Sequence, residues 1–249
     1  MRPTPPPAAT AGLPLWPLAL LAGLLPLAAA LGAWALSTAQ GLIPACNPFV
    51  DGCVSVSRAA RHDLPNHLFR ALMLPAAALQ ALCWLLASRW LAGLLGLPGR
   101  YRLLAWLAPL GAAASVALVL YATFLGTEGA IYRWLRQYGT VVYFGGTCIC
   151  LLIAGGGVQR AVRAGRLALA RWAEQAMVAL AVTLVTLGLV NALVAAFMGD
   201  ELKGRMENVT EWWGALIFVL GFFALAVIWR RAGLVLELHA RPRGGRGGA

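Results

Sequence analysis

Lysine, histidine and acidic residues are scarce in this chain. Its 249 residues include one lysine, three histidines and nine Asp or Glu side chains, and only 12% of the residues are charged. Soluble domains carry about 25% charged residues, so this composition excludes an ordinary soluble protein. What the chain has instead is 61% hydrophobic residues and a mean hydropathy of +0.76, which is typical of a polytopic membrane protein.

Motifs for cofactors are also missing. The chain has no glycine-rich dinucleotide fingerprint and no P-loop, so no cofactor is predicted. Its five cysteines include no C-x-x-C pair, which disfavours a thiol oxidase. A zinc site usually takes three or four ligands, and a site built from His62, Asp63, His67 and Glu211 is the alternative that the sequence allows. We interpret these residues as solvated or interfacial, and no metal is predicted.

Six apolar segments are long enough to cross about 30 Å of hydrocarbon at 1.5 Å per residue. They are predicted at about Leu13–Leu36, Leu68–Leu86, Leu103–Leu125, Thr140–Gly156, Ala176–Met198 and Val209–Trp229. The predicted fold class is therefore all-α, a single six-helix membrane domain over residues 13–236 with an extracytoplasmic cap loop over residues 37–67. The Pro-rich residues 1–12 and the basic residues 237–249 are predicted to be disordered tails.

The basic residues are concentrated on one side of the predicted bundle. If the N-terminus is cytoplasmic, the cytoplasmic segments hold thirteen of the twenty basic residues and two acids, Glu174 and Glu237. This bias follows the positive-inside rule and predicts a multi-pass protein with both termini in the cytoplasm. Nineteen of the basic residues are Arg, with abundant Ala, Leu and Gly, which indicates a GC-rich bacterial genome and hence the inner (plasma) membrane.

The distribution of the basic residues also indicates which binding partners to expect. The net charge of +11 is explained by the cytoplasmic loops, so nucleic acid is not a predicted partner. The loop over residues 158–174 carries four arginines and is predicted to be a helical extension on anionic lipid headgroups. Docking of a protein partner there is the alternative.

The extracytoplasmic loop between the first two helices holds two cysteines, Cys46 and Cys53. Oxidation is permitted on that side of the membrane, so we predict a disulfide between them. By the chain-entropy model, such a short ring would contribute roughly 2–3 kcal/mol. Cys148 and Cys150 are two residues apart on a predicted helix, so they point in different directions and cannot pair.

Glu211 is the most informative single residue because it opens the last apolar segment. A carboxylate at the membrane edge is costly unless it is paired or hydrated, and Arg70 or Arg136 at the same level is the predicted ion-pair partner. Two kinds of site follow. The first is a lipid-headgroup or partner site made of Arg58, Arg61, Arg70, Arg136 and Trp212. The second is a catalytic site in which Glu211, His62 or His67 is the acid or base and Ser57 or Ser55 is the nucleophile.

Three stretches resemble the DRAM/Frag/Sfk family of six-helix membrane proteins. CVSVSRAARHDLPNHLFRALML (residues 53–74) resembles the first-loop motif, with Val56-Ser57, Pro65 and Leu68-Phe69 at the matching positions. Residues 121–144 resemble the region between the third and fourth helices, and Glu211-Trp212 the Glu-Trp that opens the last helix. Arg136 stands where the family often has His, and Arg58 where it has an acid.

The family includes a GPI-anchor lipid-remodelling factor and a lysosomal autophagy modulator. The resemblance thus implies lipid-related or regulatory work in a six-helix membrane fold. The resulting prediction is an integral membrane protein that binds a lipid headgroup or a protein partner at its extracytoplasmic face. The alternative is a membrane-embedded lipid-remodelling enzyme, working by acyl transfer or hydrolysis with Glu211 and His62 or His67.

Overall fold

The computed structural model of the protein describes residues 12–96, 101–197 and 199–237. The described chain is mostly helical, and its helices in chain order are α1 (Trp16–Ala39), α2 (Val56–Ala59), α3 (Asp63–Leu95), α4 (Leu107–Phe124), α5 (Ala130–Arg163), α6 (Arg171–Phe197) and α7 (Asp200–Arg231). A 3₁₀ turn over Arg102–Trp106 leads into α4. All of the α-helices except the one-turn α2 are long and apolar enough to cross a membrane. The predicted all-α, six-helix membrane bundle is confirmed.

The six long helices form a closed ring. Each packs against the next one in the chain, α7 packs back against α1, and α3 also contacts α5. Of these helices, α6 buries the smallest share of its apolar stretch and α7 the largest. Up-and-down packing of this kind gives every helix two neighbours and leaves the remaining apolar surface for lipid.

The two ends of the bundle differ. Strand β1 (Leu13–Pro14) pairs antiparallel with β2 (Val235–Leu236), so the two ends of the chain's membrane domain meet; we call this the terminal end. The α1–α3, α4–α5 and α6–α7 connections lie at the opposite end, which we call the cap end.

A proline in α1 fixes a contact in the middle of the bundle. Pro26 has no N–H, so the carbonyl of Ala22, one turn before it, loses its usual helical donor. The side-chain amide nitrogen of the buried Gln80 on α3 donates to that carbonyl at 3.1 Å. The lost backbone bond of α1 is thereby replaced by a bond between helices, which links α1 to α3.

Several helix boundaries extend beyond the predicted apolar segments. α5 begins at Ala130, not at Thr140, and α7 begins at Asp200, not at Val209. Hydropathy detects only the part of a helix that suits hydrocarbon, and the first turns of both helices contain charged residues. The Arg-rich segment 158–174 is helical up to Arg163 and again from Arg171, so the predicted helical extension is found at both ends of the segment and not between them.

Two other predictions concern the chain ends and the membrane cysteines. The predicted disordered tails lie outside the described residues, except Gly12 and Glu237. The thiol of Cys148 contacts the Ala181 carbonyl on α6, and that of Cys150 the Leu107 carbonyl at the start of α4. The two thiols therefore point to different helices, as their spacing predicts.

Candidate functional site

The cap end is covered by the loop between α1 and α3, which contains α2. It spans residues 40–62 instead of the predicted 37–67, because both flanking helices extend into the predicted loop, and we call residues 40–62 the cap loop from here on. Within it the sulfurs of Cys46 and Cys53 lie at disulfide-bonding distance, with their Cα atoms 6.7 Å apart. The hydroxyl of the buried Ser37 on α1 donates to the Ala59 carbonyl at 2.6 Å. The loop is thus closed on itself and attached to the helix that precedes it.

The first turns of α7 hold the backbone of the cap loop. Four side chains of α7 donate hydrogen bonds to backbone carbonyls of the cap loop. A backbone carbonyl needs such a partner where it is buried away from water. The pairs are Arg205 with Asp51 (3.1 Å), Asn208 with Gly52 (2.8 Å), Trp212 with Val54 (2.9 Å) and Trp213 with Phe49 (3.1 Å). This explains why the polar residues before the last apolar segment are helical: they form the surface on which the cap loop lies.

Gly52 permits this contact. Its φ is +62°, a left-handed conformation that side chains disfavour. A Cβ atom there would also collide with the backbone carbonyl of Arg205 on α7. The loop can approach α7 this closely only because the residue at this position has no side chain.

Glu211 binds the same loop from inside the bundle. One of its carboxylate oxygens, Oε1, accepts a hydrogen bond from the backbone N–H of Ser57 in α2 at 3.1 Å. The predicted ion pair with Arg70 or Arg136 is not formed. Both guanidinium groups donate to backbone carbonyls at the end of α4 instead: Arg70 to Leu125, and Arg136 to Phe124 and Thr127. The arginine of the cap loop that shares a cavity with Glu211 is Arg61.

A cavity of about 720 Å³ opens beside this carboxylate. We call it the polar cavity; its walls are the cap loop, the α4–α5 connection, the first turns of α5 and one residue each of α4 and α7. Its ionisable side chains are Arg61, His62, Glu128, Arg133, Arg136 and Glu211. Three guanidinium groups face two carboxyl groups, which leaves one net positive charge when both carboxyl groups are ionised and His62 is neutral.

The predicted site residues are only partly brought together. Ser57, Arg61, His62, Arg136 and Glu211 all line the polar cavity. Four others do not: Arg58 and His67 are exposed elsewhere, the guanidinium of Arg70 is used on the Leu125 carbonyl, and Trp212 lines a different cavity. In the described part of the chain no three His, Cys, Asp or Glu side chains are grouped to hold a metal ion.

A second, narrow cavity of about 60 Å³ adjoins the first. This apolar cleft lies among α1, α3, α4, α5 and α7, and the predicted ligand residue Trp212 lines it rather than the polar cavity. Tyr121 and Glu211 line both cavities. The two residues therefore form the boundary between a charged chamber and an apolar one.

Sequence reasoning missed Tyr121, Glu128 and Arg133. Glu128 and Arg133 lie close in sequence to the predicted Arg136. The short turn at residues 127–129 and the arginine that follows it could have suggested both. Tyr121 lies near the end of the apolar segment Leu103–Leu125, where its residue type alone does not distinguish it from a packing residue. Only the fold shows that it faces Glu211.

Six membrane-crossing helices and two adjoining cavities at one end define a multi-pass integral membrane protein with a candidate binding site. No family model, curated protein or solved structure matches the chain.

Proposed function

We propose that this membrane protein binds the phosphate-bearing headgroup of a membrane lipid in the polar cavity. The observation that carries the proposal is the set of arginines there. Within the described residues the guanidinium groups of Arg61 and Arg133 make no hydrogen bond, although both face the cavity. Guanidinium groups bind phosphate oxygens through paired, charge-assisted hydrogen bonds.

The third arginine supports the same ligand. Arg136 is fixed because its Nη1 atom donates to the Phe124 and Thr127 carbonyls, at 3.0 and 2.6 Å. Its other donors are left for a ligand, in a position that the α4–α5 connection holds in place. The excess of one positive charge favours an anionic headgroup, while Glu128 and Glu211 would tolerate a zwitterionic one.

Replacement of both free arginines, Arg61→Gln with Arg133→Gln, is expected to weaken lipid binding about tenfold, the equivalent of one or two charge-assisted hydrogen bonds. Native mass spectrometry of the protein from nanodiscs would measure the retention of phosphatidylglycerol against phosphatidylcholine. Arg58→Gln is the matched control, since Arg58 belongs to the same loop but lies outside the cavity. Equal loss in the control, or no loss in the double variant, would contradict the proposal.

We further propose that the cap end is extracytoplasmic and that both termini lie in the cytoplasm of a bacterial inner membrane. The antiparallel pairing of residues near both ends of the chain supports their lying on one side, and the positive-inside rule selects the side. Oxidation of the cap-loop cysteines would fit that placement.

Thiol labelling in intact spheroplasts tests side and disulfide together. A membrane-impermeant maleimide is expected to label Cys46 and Cys53 only after an impermeant reductant is added outside, because the bonded sulfurs are otherwise blocked. Cys83 and Cys150 are buried and give little background. Labelling without reductant would remove the disulfide, and labelling only after lysis would reverse the orientation.

A lipid-remodelling enzyme is the second candidate. Its support is that Ser57, His62 and Glu211, three of the four predicted catalytic residues, line one cavity. The Ser57 hydroxyl, however, is hydrogen-bonded to the Ser55 hydroxyl at 3.1 Å. Oε1 of Glu211 accepts from the Ser57 backbone N–H and not from that hydroxyl. Membership of the DRAM/Frag/Sfk family, and a protein partner at residues 158–174, also remain proposals.

A further inference from the structure

The apolar cleft is open toward the hydrocarbon between α1 and α7. Its rim consists of Leu27 and Leu31 on α1 and of Ala215 and Leu216 on α7, all of them partly exposed. Phe49 of the cap loop covers its cap end, where its ring packs against that of Trp212 at 5.3 Å between centroids. An apolar chain could therefore enter the cleft sideways from the membrane, without passing through the cap loop.

Toward the terminal end the same seam is closed. A Cβ atom at Gly23 of α1 would lie only 3.0 Å from the Val219 carbonyl and 2.9 Å from the Phe223 ring of α7. The missing side chain lets the two helices touch at this level, as small residues do between membrane helices. The opening is thus confined to the part of the seam next to the cap loop.

The cleft also borders the polar cavity, because the two share wall residues. Glu211 and Tyr121 line both, so a polar group held by Arg61 and Arg133 would have its apolar part directed past these two residues. A ligand with a charged head and an apolar chain matches this order of surfaces, whereas a wholly polar or a wholly apolar ligand would match only half of it.

We infer that the cleft takes one acyl chain of the lipid whose headgroup occupies the polar cavity; this inference rests on the proposed headgroup binding. Burial of a chain inside the bundle gains little by leaving water, because the chain comes from hydrocarbon. The gain comes from van der Waals contacts that an empty cleft forfeits. At about 60 Å³ the cleft admits part of one chain, so the second chain stays in the bilayer.

A phosphatidylglycerol with a photoactivatable diazirine in one acyl chain tests this directly in nanodiscs. After illumination, peptide mass spectrometry is expected to place adducts on the cleft-lining parts of α1 and α7, within residues 22–31 and 215–222. Adducts spread over the lipid-exposed face of α6, with none enriched on α1 and α7, would show annular lipid only and overturn the inference.

A cleft-filling variant gives the second measurement. Ala215→Phe places a ring in the cleft and is expected to lower the α1 and α7 adducts about tenfold; Ala28→Phe, on the exposed side of α1, should not. Water-soluble glycerophosphoglycerol, the same headgroup without chains, should bind wild type and Ala215→Phe alike by NMR titration. Unchanged adducts in Ala215→Phe would overturn the acyl-chain site alone. If glycerophosphoglycerol does not bind to the wild-type protein, the headgroup site is overturned.

Discussion

Replacing Trp212 by alanine should lower the free energy of unfolding by about 3–5 kcal/mol, the usual cost of removing a buried tryptophan. The indole is 2% exposed, packs against the Phe49 ring and donates from Nε1 to the Val54 carbonyl at 2.9 Å. The substitution leaves a cavity beneath the cap loop and also removes the donor of a buried carbonyl. Titration with sodium dodecyl sulfate in mixed micelles, followed by circular dichroism, measures the change.

The neighbouring Trp213 is a matched control. It too donates from Nε1 to a cap-loop carbonyl, that of Phe49 at 3.1 Å, and its ring also contacts the Phe49 ring, with centroids 5.5 Å apart. Trp213 is, however, 43% exposed, so Trp213→Ala should cost only about 1 kcal/mol. Equal losses for the two variants would mean that burial beneath the loop does not stabilise the cap end.

The six helices could be predicted because their cause is local. A helix in hydrocarbon must satisfy its backbone internally, and an apolar run of sufficient length is enough to recognise it. The first turns of α5 and α7 have a different cause. Asn208 and Arg205 are helical residues that bind the Gly52 and Asp51 carbonyls of a loop about 150 positions earlier, and no pattern in the sequence connects those two segments.

The partner of Glu211 shows the same limit. The predicted helix levels placed Arg70 and Arg136 beside it, and both do lie at the cap end. They are used instead on the carbonyls at the end of α4, whose last turn lacks intrahelical donors. Carbonyls without a helical donor cannot be recognised from residue types. The sequence therefore predicted a charged partner for Glu211, whereas the fold gives it the backbone N–H of Ser57.

The two cavities could not be predicted from the sequence. Arg61 comes from the cap loop, Arg133 from the start of α5 and Tyr121 from the last turn of α4, yet they border one space. Their meeting depends on the ring of helices and on the cap loop being held against α7. Residue type predicted which arginines were available for a headgroup, and tertiary structure decided that Arg58 and Arg70 were not among those in the cavity.

Glu211 allows the structural and catalytic roles to be separated by two substitutions. Glu211→Leu removes the acceptor of the Ser57 N–H, and an unpaired backbone donor in a partly buried site should cost about 1–3 kcal/mol of unfolding free energy. Glu211→Gln keeps an oxygen in the same place, so its stability should stay within about 0.5 kcal/mol of wild type. The same detergent titration measures both.

The glutamine variant also decides between the two proposed functions. If the cavity only binds a headgroup, Glu211→Gln removes a negative charge beside Arg61, and anionic lipid should bind at least as tightly as to wild type. If the carboxylate is the acid or base of a lipid-remodelling reaction, the variant should lose turnover by about 10²–10⁴-fold while remaining folded. Mass spectrometry of the lipids in proteoliposomes would detect that turnover. A leucine variant as stable as wild type would show instead that the bond to Ser57 does not hold the cap loop, and the stabilising role assigned to Glu211 would be wrong.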